Sequence, residues 1–407
     1  MQRDFDEKVT PAQMSTGAAR VSPGRGPSRR SDVAPFIAMD VLAEAARLEA
    51  QGRDIVHLEV GQPGFPAPLA AREAAIEAAR QGRVGYTEAL GLPRLRARIA
   101  RHYADWYGLD VPAERIAVTT GSSAGFVLTF LAALDGGARV ALPQPGYPAY
   151  RGILHGLGIE PVAMVTSEEQ RWTPTPEDLQ AAFRTGRLDG FLVASPNNPT
   201  GTVVEPGTLR DLVAMCRDEN ALFVSDEIYH GLTFDRPAQT ALSFSDEVVV
   251  VNSFSKYFCM TGWRIGWLVL PEWLVRPVER LAQSLFISPP ALSQHAALAV
   301  MDCGSELEAN KAVYGRNREI LTKRLPQMGL PRFAPMDGAF YAYVDISAHS
   351  HDSFDFTQRM LREIGVAATP GLDFDPDLGG RFMRLSIAGS SADVEEAMDR
   401  VSRWLER

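Results

Sequence analysis

Val248-Val249-Val250-Val251-Asn252-Ser253-Phe254-Ser255-Lys256-Tyr257-Phe258-Cys259-Met260-Thr261-Gly262-Trp263-Arg264-Ile265-Gly266 is the stretch that decides how this chain folds. Four consecutive valines have no helical period and suit a strand buried on both faces. The apolar run ends at Asn252, and a loop rich in small hydroxyl side chains follows. Lys256 therefore lies on the loop leaving the carboxyl end of a strand. Ligands of open α/β sheets bind at that edge.

The chain has only four lysines, Lys8, Lys256, Lys311 and Lys323. Lys8 falls in a polar stretch near the N-terminus. Lys311 and Lys323 share a charged helical pattern with Glu306, Glu308, Arg316, Arg318 and Glu319, which reads as a solvated face. Lys256 alone stands among apolar and hydroxyl residues, with Arg264 eight positions on. A lysine amine able to form a Schiff base, next to hydroxyls and a guanidinium able to hold a phosphate dianion, is what pyridoxal phosphate requires. An ordinary surface lysine in a loop is the alternative that this segment alone leaves open.

The 407 residues suffice for a large core, and 45% hydrophobic with 22% charged content is ordinary for a globular enzyme. A net charge of −9 offers no basic surface for nucleic acid. The longest apolar stretches, such as 125–134, are too short to span a bilayer, and no hydrophobic signal core opens the sequence. Cys216, Cys259 and Cys303 are scattered and odd in number, and the seven histidines lack ligand spacing. Neither a disulfide framework nor a metal site is expected, and a reducing cytoplasm is the expected location.

Residues 1–35 are rich in Gly, Pro, Ser and Arg and read as a disordered tail or an arm docked on a partner subunit. A helical pattern begins near Phe36, and 55–60 reads as a short strand, so 36–70 is expected to be the N-terminal part of a smaller domain. Residues 71–304 alternate helix and strand, the mark of a mostly parallel, seven-stranded α/β sheet. The expected strands are 116–120, 139–142, 161–165, 190–194, 222–225, 248–251 and 264–270. Residues 305–407 read as a smaller α+β domain, with strands at 339–344 and 382–386 and helices at 354–364 and 392–405.

Loops at the carboxyl ends of these strands carry matching chemistry. Thr119-Thr120-Gly121-Ser122-Ser123 opens a helix, whose free N–H groups favour a phosphate, although Gly-Ser-Ser is also an ordinary cap. Tyr147 follows Pro145-Gly146 and suits stacking on a flat ring or plain packing. Ser195-Pro196-Asn197-Asn198-Pro199-Thr200-Gly201 is a rigid turn whose Asn198 is able to donate to a ring oxygen. In Ser225-Asp226-Glu227-Ile228-Tyr229 a buried carboxylate needs a partner, and a protonated pyridine nitrogen supplies one. Tyr229 is placed to reach the ring hydroxyl oxygen.

Each motif alone has a structural reading, but five of them in this order are hard to attribute to turns. On Asn-Asn-Pro-Thr-Gly, Asp-Glu-Ile-Tyr, Ser-Phe-Ser-Lys with Gly-Trp-Arg-Ile-Gly, and Arg-Leu-Ser at 384–386, the chain after residue 35 resembles the fold-type I, pyridoxal-phosphate-dependent class I/II aminotransferases. The resemblance implies that Lys256 carries the Schiff base, Asp226 pairs with the pyridine nitrogen, and Tyr229 and Asn198 hold the phenolic oxygen while Tyr147 stacks on the ring. It assigns the phosphate to Ser122, Ser123, Ser253, Ser255 and Arg264, with Tyr86 reaching the phosphate of a neighbouring subunit in a homodimer. Arg384 is implied as the fork for the substrate α-carboxylate, with the Gly61 backbone approaching the same group. Acid-selective members place a lysine where this chain has Ser123, or an arginine in the segment resembling 283–289, which is apolar here. The implied activity is transfer of an amino group from a neutral, apolar or aromatic L-amino acid to a 2-oxo acid. A carbon–sulfur β-lyase of the same fold is the alternative that shares every residue above, and a non-enzymatic domain that senses the cofactor is a further one.

Overall fold

The computed structural model describes residues 26–407. Helix α1 (Ile37–Glu49) and strand β1 (Val56–His57) come first, followed by α2 (Leu69–Arg80) and α3 (Pro93–Tyr107). The alternating region then runs β2 (Ile116–Thr119), α4 (Gly121–Ala133), β3 (Arg139–Gln144), α5 (Pro148–Leu157), β4 (Glu160–Val165), α6 (Pro176–Arg184), β5 (Gly190–Ala194), α7 (Pro206–Asp218), β6 (Leu222–Asp226), β7 (Val249–Ser253) and β8 (Gly266–Val269). The remainder is α8 (Glu272–Leu285), α9 (Ala291–Val300), α10 (Gly304–Gln327), β9 (Tyr341–Asp345), α11 (Ser353–Ile364), β10 (Val366–Ala367), β11 (Thr369–Pro370), β12 (Phe382–Ser386) and α12 (Ser391–Leu405).

Strands β2 to β8 form one sheet in the order β2-β8-β7-β6-β5-β3-β4. Only β8 runs against its neighbours, β2 and β7. The cause lies in the connection. Residues 254–265 contain no crossover helix, only a 3₁₀ turn at Thr261–Trp263, and a return without a crossover is antiparallel. The valine run behaves as its composition requires: Val249, Val250 and Val251 are fully buried. Val250 joins the cluster on one face, and Val249 and Val251 join the cluster on the other. Each such side chain contributes about 1.5–3 kcal/mol of hydrophobic burial. Edge strand β4 is the least buried of the seven.

A second, antiparallel sheet has the order β11-β12-β9. The N-terminal segment joins this C-terminal region: β1 pairs with β10 in parallel, and Ser386 N donates to Leu58 O at 2.7 Å. The strand expected over 55–60 is cut to two residues for that reason. Leu58 bonds Ala367 and Ser386, and the Glu59 carbonyl is taken by the side chains of Thr369 and Arg384. The strand expected from Arg264 begins at Gly266 instead, because Arg264 sits in the left-handed region at φ 50°. Within the stretch expected to be a tail, Arg29–Ser31 form a 3₁₀ turn that packs against α5. The rest of that expectation, over residues 1–25, lies outside the described residues. No helix among the described residues is long and apolar enough to cross a membrane.

Candidate active site

The carboxyl ends of the parallel strands and the edge of the second sheet enclose a cavity of about 310 Å³. Lys256 lines it. Its Nζ donates to the Gly61 carbonyl at 2.5 Å and lies 5.7 Å from the Tyr229 ring centroid. Burial lowers the Lys256 pKa to about 8, and the Arg384 cation pushes the same way while Asp226 opposes.

At one end the cavity meets the first turn of α4. Gly121 has φ 75°, and a Cβ there would overlap the Arg264 guanidinium, so only glycine lets the cation lie against the helix N-terminus. Ser122, Ser123, Ser255, Thr261 and Arg264 line this end. Arg264 Nη1 donates to the Thr261 carbonyl at 2.9 Å. Free helix N–H groups, hydroxyls and a guanidinium form the donor set that a dianion requires.

Deeper in the cavity, Asp226 ends β6. Its Oδ1 accepts from Ile228 N at 3.0 Å, and its Oδ2 accepts from the Tyr150 hydroxyl. Desolvation raises this carboxyl to about 6 against both hydrogen bonds. A cationic partner would offset that desolvation and favour the ionised form further. The Tyr147 ring meets Tyr150 edge-on and lies 6.0 Å from Phe36, and burial lifts its hydroxyl to about 12. Tyr229 and Tyr341 share a hydrogen bond of 2.7 Å between their hydroxyls.

Arg384, on β12, is buried. Nη1 donates to Asn198 Oδ1 at 3.0 Å, and Nη2 donates to the Glu59 carbonyl and to Thr369 Oγ1. The guanidinium lies between two rings, 4.5 Å from the Tyr341 centroid and 4.8 Å from that of Phe374. Stacking and forked bonds fix a plane that an ammonium group would not keep.

Eleven of the thirteen residues singled out in the sequence line this cavity. Ser253 stands behind it: its Oγ donates to Ser255 Oγ and to the Ile265 carbonyl, and it does not line the cavity. Tyr86 is 84% exposed and away from the cavity of its own chain. Phe36, Ala38 and Met39 at the start of α1, together with Tyr150, Thr261 and Tyr341, line the cavity and were not legible as site residues. Tyr150 carried a weak signal, in the first turn of α5 three positions after Tyr147. A larger cleft of about 730 Å³ lies at the amino ends of β5 and β6, lined by Arg187, Arg217, Glu247 and Trp273, far from this chemistry. No cluster suited to a metal occurs among the described residues.

A mostly parallel sheet with one reversed strand and a lone lysine at its carboxyl edge defines the fold-type I class. The family model "Aminotransferase class I and II" matches residues 53–401, and the chain belongs to that family. It is 44% identical to a valine–pyruvate aminotransferase of Mycobacterium tuberculosis over 92% of this chain and 97% of that protein. It is 33% identical to an aspartate/prephenate aminotransferase of Thermus thermophilus over 94% and 100%. A crystal structure of an aminotransferase from Mycobacterium tuberculosis superposes with a TM-score of 0.92 at 44% identity, covering 94% of this chain and 99% of that one. The chain is therefore an aminotransferase, moving amino groups from amino acids to 2-oxo acids.

Proposed function

We propose that this aminotransferase uses pyridoxal phosphate, works as a cytoplasmic homodimer, and prefers L-amino acids with neutral, apolar or aromatic side chains. The acceptor is a 2-oxo acid such as pyruvate or 2-oxoglutarate. One observation carries the donor preference. The cavity's cations are Lys256, Arg264 and Arg384, each with a task already, and the end formed by α1 offers Phe36, Ala38 and Met39. A side-chain carboxylate would find no further cation there among the described residues. The valine–pyruvate relative, the more similar of the two named enzymes, supports this reading.

The cavity's donor set fits the cofactor at both ends. Lys256 would hold the aldehyde, Asp226 the ring nitrogen, Tyr229 and Asn198 the phenolic oxygen, and Tyr147 the ring face. Ser122, Ser123, Ser255 and Arg264 would hold the phosphate, with Ser253 buttressing Ser255 and Tyr86 reaching across from the second subunit. Pyridoxal phosphate supplies an aldehyde carbon for the amino group and a ring that accepts electron density. The Lys256 amine, held near pKa 8, has a neutral fraction at physiological pH and takes the substrate α-proton at Nζ. Arg384 orients the α-carboxylate through two parallel hydrogen bonds. Residues 36–70 and 305–407 act as a smaller domain beside the large domain at 71–304. The exposed Tyr86, Leu285, Phe286 and Ile287 support the dimer, and three free, scattered cysteines support a reducing compartment.

Steady-state kinetics with valine, leucine, alanine, methionine, phenylalanine and aspartate, each with pyruvate and with 2-oxoglutarate, tests the preference. Valine, leucine or phenylalanine should lead in kcat/KM. A clear lead for aspartate would overturn it.

A further inference from the structure

We propose that Glu49, His57 and Glu59 form a positioning relay for the substrate carboxylate: they anchor the chain at the exit of β1 so that the Glu59 carbonyl sets the plane of Arg384. The proposal rests on the reading that Arg384 binds that carboxylate.

His57 ends β1, and Glu59 follows two residues on with its carboxylate against the imidazole. Glu59 is fully buried, and a buried carboxylate requires a partner. His57 supplies it, with Nδ1 2.7 Å from Glu59 Oε1. The other ring nitrogen, Nε2, lies 3.0 Å from Glu49 Oε1 at the end of α1. An imidazole between two carboxylates is held doubly protonated, with both nitrogens donating. The hydrogen bond that Nδ1 donates to Glu59 is the main cause that lifts the His57 pKa to about 9, while burial opposes and Glu49 assists. Glu59 Oε2 is buried with no hydrogen-bond partner among the described residues. The side chain therefore depends on His57.

The main chain of the same residue does different work. Its carbonyl accepts from Arg384 Nη2 and from Thr369 Oγ1, the latter at 2.9 Å. Arg384 Nε is buried and has no hydrogen-bond partner among the described residues, so the in-plane orientation of the guanidinium rests on its Nη contacts. Tyr341 and Phe374 restrain its tilt but leave rotation within the plane free. If the Glu59 carboxylate loses its cation it must take up a proton or move toward water, and either change alters the anchor on the chain that carries its carbonyl. The relay also ties the far end of α1, whose first turn lines the cavity.

The test compares holoenzyme with His57→Gln, Glu59→Gln and Glu49→Gln, each also built on Arg384→Lys. Three quantities are read: KM and kcat for a panel of donors, the Kd of 3-methylbutanoate by calorimetry, and Tm. In His57→Gln, KM for every donor and Kd for 3-methylbutanoate should rise about tenfold, the scale of one weakened charged hydrogen bond. The change in kcat should stay within about twofold, and in the Arg384→Lys background His57→Gln should add less than about twofold, since coupled residues are not additive. A lower Tm with unchanged carboxylate binding would make the triad merely structural and overturn the proposal. So would a full effect of His57→Gln in both backgrounds. If His57→Gln and Glu59→Gln do not fold, the half-exposed Glu49→Gln decides: a weaker rise in Kd supports the relay, and no rise overturns it. Unchanged carboxylate binding in Arg384→Lys itself would instead overturn the assignment of Arg384, and the relay with it.

Discussion

Gly61→Ala is the sharpest test of how the site is assembled. Gly61 has an ordinary backbone conformation, so the substitution adds only a methyl group. That methyl would overlap the Tyr341 hydroxyl and come within 2.9 Å of its Cζ. Tyr341 is fully buried and cannot swing into solvent. Displacing it breaks the 2.7 Å bond to Tyr229 and the stacking at 4.5 Å on Arg384. Overpacking costs about 1–3 kcal/mol, the hydrogen bond about 1 and the cation–ring contact about 0.5–1, so the total is about 2.5–5 kcal/mol. Part of it should appear as a lower Tm, and part as a ten- to hundredfold loss in kcat/KM, since each factor of ten is about 1.4 kcal/mol. Circular dichroism melts and steady-state kinetics read both. Tyr341→Phe removes the overlapping oxygen, so adding it to Gly61→Ala should restore part of the loss. A Gly61→Ala enzyme with normal stability and activity, or no rescue by Tyr341→Phe, would refute the reasoning.

Lys256→Ala should abolish turnover and keep the fold; borohydride reduction followed by peptide mapping should label Lys256, and a label on Lys311 or Lys323 would contradict the assignment. Arg384→Lys should weaken all donors alike by about 1.5–3 kcal/mol, read as kcat/KM, because one ammonium does not reproduce two parallel bonds. Mixing inactive Lys256→Ala with Tyr86→Phe subunits should restore activity in hybrid dimers if Tyr86 serves the other subunit, provided Tyr86→Phe is itself impaired; an active monomer in dilute solution would exclude sharing. The folded pKa of His57 lies above its ordinary value, so its contribution to stability is full below about pH 6.5 and fades as pH rises through about 9. Urea melts of the protein and of His57→Gln should therefore converge as pH rises across that window.

The large sheet was legible because each strand announces itself locally. The valine run and Gly190–Ala194 are continuous apolar stretches, and β12 occupies the residues expected of it, Phe382–Ser386. The motif residues were legible because chemistry of that kind sits at strand ends. Tyr341 and Phe36 were not, since their roles depend on contacts between segments far apart in sequence, such as Tyr341 with Gly61 and Phe36 with Tyr147. No local period marks an aromatic that meets the site only after two sheets pack together. Ser253 illustrates the converse. Its place in a hydroxyl-rich loop suggested a ligand contact, but the pleat turns its Oγ inward, onto the Ile265 carbonyl.

The reversed strand β8 has a consequence for design. Lys256 and Arg264 belong to one return loop between paired strands, so the distance between them is set by a dozen residues of local chain. Arg384 is carried by the other sheet, and its distance from Lys256 is set only by how the two sheets pack. The first spacing is a ruler of fixed length and the second is an adjustable gauge. Substitutions that re-space the sheets, in β11 or around Thr369, would retune which substrates fit without disturbing the lysine and its anion-binding partner. Insertions in the 254–265 loop would do the reverse.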